Sequence, residues 1–210
     1  LRDPRKWSLM SQASLARGYE MLATPVQLAV AYGAIANGGE LLQPSLIKEI
    51  RNSHGTTVFK NERRVVRRVI SAETARTMRN ILRLVVDSGT ATKADLATFE
   101  VGGKSGTAKR TVHGKYVPGD YTATFVGLFP ADEPQLVVLV KLDSPDAAGY
   151  YGGVIAAPVM KVVIEAALAS REAGFDRSRL KQRVRPAPSA VAAAATARER
   201  SGTRESDRTQ

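Results

Sequence analysis

Three apolar runs set close together in the middle of this chain limit its architecture more than anything else in it. Phe99 and Val101 alternate with polar neighbours in Ala97-Thr98-Phe99-Glu100-Val101, which predicts a strand over roughly 98–106. Tyr121-Thr122-Ala123-Thr124-Phe125-Val126-Gly127-Leu128-Phe129 and Gln135-Leu136-Val137-Val138-Leu139-Val140-Lys141-Leu142-Asp143 predict two more, over roughly 121–129 and 135–143. Parallel neighbours need a crossover connection, usually a helix. The connections here are a polar loop and a short turn, so an antiparallel meander is expected. Such a sheet must bury at least one face. The helical pattern at about 154–171, with Ile155, Val159, Val162, Val163 and Ala166 as its apolar stripe, is the expected cover.

Upstream, Thr24-Pro25 opens a helix that Asn37-Gly38-Gly39 closes: threonine caps, proline suits the first turn, and the glycines stop it. Short β-like pieces follow at 46–50 and 56–60 around an Asn52-Ser53-His54-Gly55 turn. A second helix starts at the cap Ser71, ends at Ser88-Gly89, and turns Met78, Ile81, Leu82, Val85 and Val86 to the core. The fold class is α/β in the α+β sense, an antiparallel sheet covered by helices. Residues 1–175 read as one domain. Residues 176–210 read as a disordered tail rich in Arg, Ala and Pro, with a helix-capable stretch at 190–200.

Composition narrows the partners. The net charge of +11 raises anionic partners and says nothing about fold. Without cysteine, disulfides and thiolate metal sites are excluded. The apolar run 154–168 carries Pro158, Lys161 and Glu165, too polar a pattern for a membrane span. The chain opens on Leu1 inside a charged run and reads as the downstream part of something longer.

Gly102-Gly103-Lys104-Ser105-Gly106-Thr107 carries the chemistry. On an exposed strand, a peptide can lie alongside as an added strand. Gly106 lets the peptide backbone approach closely. The Ser105 and Thr107 hydroxyls can hold a carboxylate, with Lys104 as counter-charge. The Thr107 backbone N–H can serve as an oxyanion donor. Taken alone, the four residues favour an ordinary surface strand. A phosphate loop is excluded, because the required glycine five positions before Gly103 is Thr98. His54 and His113 fall in loops without a paired carboxylate and read as solvated. Tyr116, Tyr121, Tyr150 and Tyr151 fit the cleft, the core or the rim. No metal constellation and no cofactor motif is present.

The landmarks Gly18-Tyr19-Glu20, Ala23-Thr24-Pro25-Val26-Gln27-Leu28, Val86-Asp87-Ser88-Gly89-Thr90-Ala91, the Gly102–Ala108 block, Phe125-Val126-Gly127-Leu128-Phe129-Pro130-Ala131 and Tyr150-Tyr151-Gly152-Gly153 occur in one order. Together they resemble the C-terminal half of the transpeptidase domain of class B penicillin-binding proteins. The resemblance implies a penicillin-binding transpeptidase or β-lactamase-like serine acyltransferase fold, incomplete at its N-terminal side. It implies a membrane-anchored bacterial protein with its catalytic domain outside the cytoplasmic membrane. The implied partners are stem peptides ending in D-Ala-D-Ala, β-lactams, the preceding half of the protein, a membrane glycosyltransferase and divisome or elongasome proteins, but no nucleic acid. In the family, a serine of a Ser-x-x-Lys motif attacks, and a Ser-x-Asn motif assists.

Here Ser-x-Asn does not occur, and Ser-x-x-Lys occurs only at Ser45–Lys48 and Ser178–Lys181, both read as accidental. No catalytic residue is therefore assigned in this chain. Lys104, Ser105, Gly106 and Thr107 are assigned to substrate binding, and the Thr107 N–H to the oxyanion. Ser105 stands where threonine is commoner, which keeps the hydroxyl. Lys109 stands where glutamine is frequent, which adds charge at the cleft mouth. The rivals are a D,D-carboxypeptidase or β-lactamase-like hydrolase, and a non-catalytic partner-binding domain. The 210-residue chain alone is expected to form no covalent adduct with penicillin. Intact-mass measurement checks this, and stoichiometric labelling would make Ser45 the first suspect.

Overall fold

The sheet is built on one long hairpin. In the computed structural model, which describes residues 3–19, 21–113, 115–145, 149–170 and 174–183, β5 (Gly102–Val112) pairs antiparallel with β6 (Lys115–Phe129). Strand β6 pairs in turn with β7 (Leu136–Asp143), so the expected meander is present in the order β5-β6-β7. Its boundaries differ from those read in the sequence. Residues 97–101 bend and do not extend as a strand, because their apolar side chains serve different neighbours. Phe99 meets the Phe129 ring edge-on at 5.9 Å, and Val101 is buried in the core. Glu100 accepts from Ala131 N–H with its carbonyl and from Arg83 with its carboxylate. The polar stretch expected to be a loop instead extends the hairpin at both strands. Alternating hydrophobicity marks a half-buried strand, and this arm is wet on both faces, held by its hydrogen-bond ladder and an Arg110–Asp120 pair across it.

The α-helices among the described residues are α1 (Ser11–Ala16), α2 (Pro25–Ala36), α3 (Ala72–Asp87) and α4 (Gly152–Ala169). In α2, Thr24 and Gln27 form a reciprocal capping box: Gln27 N–H donates to Thr24 Oγ1 at 3.2 Å and Thr24 N–H to Gln27 Oε1 at 2.8 Å. In α3, Ser71 Oγ accepts from Thr74 N–H at 3.0 Å. Leu82 and Val86 are buried as expected, but Ile81 is exposed and Ala75 takes a core position. Two small sheets accompany these helices. The first, β1 (Glu40–Leu42) with β4 (Val65–Arg68), was not legible as a pair. Glu40 binds Arg63 and Arg68 across it, and the Arg63 hydrogen bond, above all, holds its carboxyl below the usual range. The second, β2 (Glu49–Arg51) with β3 (Thr57–Lys60), is the expected hairpin around the 52–55 turn.

Helix α4 covers the sheet with a different face from the one its valines suggest. Gly152, Gly153, Ala156, Ala157, Met160 and Ile164 are buried, while Val159, Val162, Val163 and Ala166 are exposed and Ile155 is half-buried. A helix that is apolar all round leaves periodicity no face to choose. Close approach decides instead. Met160 lies over Gly127 of β6, where a methyl group would come within 2.8 Å of its sulfur. By length and mean hydropathy, 1.7, α4 could cross a membrane, contrary to the sequence reading; in this fold it is the helix that closes the core.

The core is the face of the sheet shared by Phe125, Phe129 and Val140, with Val86, Leu96, Met160 and Ile164 packed on it. It does not end at 175. Phe175 is 9% accessible, meets the Phe129 ring at 6.1 Å, and is followed by Asp176, which exchanges two hydrogen bonds with Gln135. Leu180 also packs against the core, so the compact body is Leu1–Leu180, with Lys181–Gln210 a separate unit. Residues 184–210, where the disordered tail and its helix-capable stretch were expected, lie outside the described residues. Phe175→Ala should cost up to about 3 kcal/mol and lower the melting temperature by several degrees. An unchanged melting curve would return residues 176–180 to the tail.

Candidate functional site

Strand β5 hydrogen-bonds to β6 along one edge, and no other described strand pairs with its opposite edge. Antiparallel geometry sends successive side chains to opposite faces. Lys104 and Gly106 therefore share one face, and Ser105 and Thr107 share the other with α4. The Ser105 carbonyl accepts from Lys104 Nζ at 2.7 Å, so Ser105 turns its main chain to the free edge. By the same alternation Thr107 does so too, and its N–H opens outward.

Two contacts fix the hydroxyls. Gly152, first residue of α4, donates its N–H to Thr107 Oγ1 at 3.0 Å. N–H groups of a first helical turn have no partner within the helix, so this bond satisfies one of them. A hydroxyl that has accepted still has its proton to give. Ser105 Oγ lies 3.1 Å from Thr90 Oγ1 and 3.5 Å from Lys104 Nζ. Lys104 itself is exposed, Ser105 half-buried and Thr107 exposed, so all three are reachable from solvent. Gly106 is close against Thr124, whose hydroxyl a methyl group would overlap. Gly103 packs on the Phe125 ring.

The surroundings are cationic. The N-terminus of α4 contributes a partial positive charge beside Thr107. Lys109 is exposed two residues on, and Arg110 is tied to Asp120 at 3.1 Å and to Ser144. A cleft of about 520 Å³ flanks the Gly106 face, with Met21, Leu22, Leu28, Thr124 and Leu139 among its walls. At its rim, hydrogen bonds from Lys141 and then Thr122 hold the Asp143 carboxyl below the usual range. On the α4 side, Tyr121 stacks on Tyr150 at 4.1 Å and Tyr150 leans on Tyr151 at 4.4 Å. Tyr150 donates its hydroxyl proton to Tyr151 at 3.2 Å, and that bond pushes its pKa up. Tyr116 stands apart, exposed near the hairpin tip.

The remaining sequence candidates lie elsewhere. Ser45 sits in the loop between β1 and β2, where its hydroxyl donates to the Ile47 carbonyl at 3.0 Å; it caps no helix. It lines a different cavity, with Phe59 and Arg63. Ser178 is held by Asp176 at 2.6 Å in the turn Arg177–Arg179. His54 is in the 52–55 turn, and His113 is at the tip of the long hairpin, about 20 Å along the strand from Thr107. Sequence reasoning missed Thr90, Gly152 and Gly153 as parts of the site. The paired glycines were the available signal, since they mark a close backbone approach.

The sequence matches the penicillin binding protein transpeptidase domain over residues 2–165. The chain belongs to that family. It is 38% identical over 169 residues to a probable peptidoglycan D,D-transpeptidase, PenA, of Neisseria flavescens, covering 80% of this chain and 40% of that protein. It is 39% identical over 152 residues to stage V sporulation protein D of Bacillus subtilis, covering 72% and 24%. Among solved structures it is similar to the transpeptidase domain of Burkholderia pseudomallei penicillin-binding protein 3. That match has a TM-score of 0.68 and 35% identity, over 80% of this chain and 49% of that one. Mycobacterium tuberculosis penicillin-binding protein 3 complexed with ampicillin gives 0.73 and 29%, over 90% and 42%. The chain thus spans a quarter to a half of these relatives.

Membership of this family makes the glycines beside Lys104 testable. Gly103→Ala should destabilise by about 1–3 kcal/mol, because the methyl meets a packed ring and the Val126 carbonyl. Gly106→Ala should cost less, because only the Thr124 hydroxyl obstructs it and that group can rotate. Thermal denaturation of both variants checks the order; a more damaging Gly106→Ala would contradict the packing described.

Proposed function

We propose that this chain is the substrate-binding part of a peptidoglycan D,D-transpeptidase, with β5 as the strand on which the donor stem peptide lies. The observation that carries the reading is the outer edge of β5, where a lysine, two hydroxyls and outward-facing main chain coincide. A stem peptide ending in D-Ala-D-Ala adds to that edge as an extra strand. Lys104 supplies the positive charge for its terminal carboxylate, and Ser105 and Thr107 donate hydroxyl protons to it. The Thr107 N–H faces the scissile carbonyl and stabilises the oxyanion as it forms.

The nucleophile comes from outside the described residues. A serine hydroxyl adds to the penultimate D-alanyl carbonyl, and the tetrahedral intermediate expels terminal D-alanine, whose amine takes up a proton. An amine of a second stem then attacks the acyl-serine ester and releases the enzyme. A β-lactam presents its ring amide and carboxylate to the same groups. The ring opens and its nitrogen stays attached, so the acyl-enzyme persists. The setting is the outer side of a bacterial cytoplasmic membrane, with a glycosyltransferase and divisome or elongasome proteins as assembly partners.

Lys104→Ala tests the assignment in the full-length protein that carries this chain. Losing a charge-assisted bond costs about 1.5–3 kcal/mol, roughly tenfold to over a hundredfold in second-order acylation by penicillin. Lys104→Arg should rescue in part, because it keeps the charge without the compact head. Thr107→Ala should be milder, because the main-chain donor survives. With circular dichroism as the folding control, wild-type acylation by folded Lys104→Ala would mean that β5 is not the substrate strand.

A further inference from the structure

We propose that Thr90 is a positioning residue for carboxylate recognition: its hydroxyl donates to Ser105 and so leaves the Ser105 proton for the ligand. The proposal rests on β5 being the substrate strand.

Thr90 follows the end of α3, in Ser88-Gly89-Thr90-Ala91. The turn is held on both sides of it: Ser88 N–H bonds to the Leu84 carbonyl at 3.0 Å and Ala91 N–H to the Val85 carbonyl at 3.2 Å. Ala91 is fully buried in the core, which fixes the backbone carrying Thr90. The first turn of α4 closes on the same point. Gly153 lies so near the Thr90 carbonyl that a side chain there would overlap it, and that side chain would also sit 3.7 Å from Ser105 Cβ. Three elements distant in sequence therefore meet at the Thr90–Ser105 pair.

Proton counting sets its direction. A hydroxyl has one proton and two lone pairs, a lysine ammonium only donates, and a carboxylate only accepts. At 3.1 Å either hydroxyl can donate to the other. When a carboxylate arrives, Ser105 must give it the proton, and Thr90 must then donate to Ser105. Lys104 Nζ, at 3.5 Å from Ser105 Oγ, favours the same polarity by occupying the second lone pair. The bonds run Thr90 to Ser105 to carboxylate, and each polarises the next. A β-branched side chain is restricted at χ1, which keeps Thr90 Oγ1 in place.

The test uses the full-length protein, with benzylpenicillin and its neutral methyl ester as probes. Thr90→Val keeps the shape and removes the hydroxyl. It should slow acylation by benzylpenicillin about two- to tenfold, the range for one neutral hydrogen bond. The loss should fall mainly on the concentration for half-saturation, and the slower ester reaction should be nearly unchanged. Thr90→Ser should restore most of the rate. In a Ser105→Ala background, Thr90→Val should add nothing. Should Thr90→Val lower the melting temperature, Thr90→Ala in the same cycle replaces it. Equal losses for acid and ester, or a full Thr90→Val loss on top of Ser105→Ala, would overturn the proposal by giving Thr90 a merely structural role. A costly Ser105→Ala beside a silent Thr90→Val would overturn this inference alone. Silent Ser105→Ala and Lys104→Ala together would overturn the substrate strand, and this inference with it.

Discussion

The site depends on how closely the first turn of α4 approaches β5 and β6. Gly152 and Gly153 make that approach possible. A side chain at Gly152 would overlap the carbonyls of Gly106 and Thr124, and one at Gly153 would overlap the carbonyl of Thr90. Because neither residue has a side chain, an otherwise unpaired helical N–H reaches Thr107, and the positive end of an 18-residue helix lies beside a strand edge already carrying Lys104. The same approach sets Met160 over Gly127 and closes the core on Phe125 and Phe129. Packing and recognition are thus one arrangement, and glycine is required at both ends of it.

Strand β5 keeps its outer edge open in a manner that suits a peptide. An unpaired edge is a liability unless its chemistry restrains indiscriminate pairing. Here Lys104 and Lys109 put charge along the strand, and Lys104 Nζ occupies the Ser105 carbonyl. A ligand that brings its own carboxylate has a reason to draw the ammonium away from that carbonyl, which an arbitrary strand lacks. Under the proposed assignment, the edge selects for charge as well as for extended backbone.

The strands and helices were legible where local signals and tertiary packing agreed. Thr24 with Gln27, and Ser71 before its helix, announced their caps through interactions confined to a few residues. Strand β7 matched because its apolar run is long, with Val140 in the core and Leu136, Val138 and Leu142 packed against it. The failures share one cause. Residues 97–101 alternate like a strand yet bend, since Phe99 and Glu100 answer to Phe129 and Arg83. The hairpin arm at 108–120 reads as a loop because it buries too little to leave an apolar pattern. In α4 the valines suggest the stripe, but the face that closes on the sheet is the one where Gly152, Gly153, Ala156 and Ala157 allow close approach. Leu180 sits in a polar context that hid its docking.

For the site, the sequence by itself determined the chemistry on one strand: Lys104, Ser105, Gly106 and Thr107 are neighbours along the chain, and a four-residue order fixes which groups a strand can present. It also marked Ser45 as lacking the helical setting a nucleophile needs. Only the tertiary structure decided which edge of that strand is open, which face α4 uses, and which distant groups complete the site. Thr90 lies 15 residues before Ser105, and Gly152 lies 45 after Thr107. No local pattern encodes such contacts, because they exist only when α3, the sheet and α4 pack together. Hydroxyl identity is written in the sequence, whereas the direction of its proton is set by the neighbours that folding supplies.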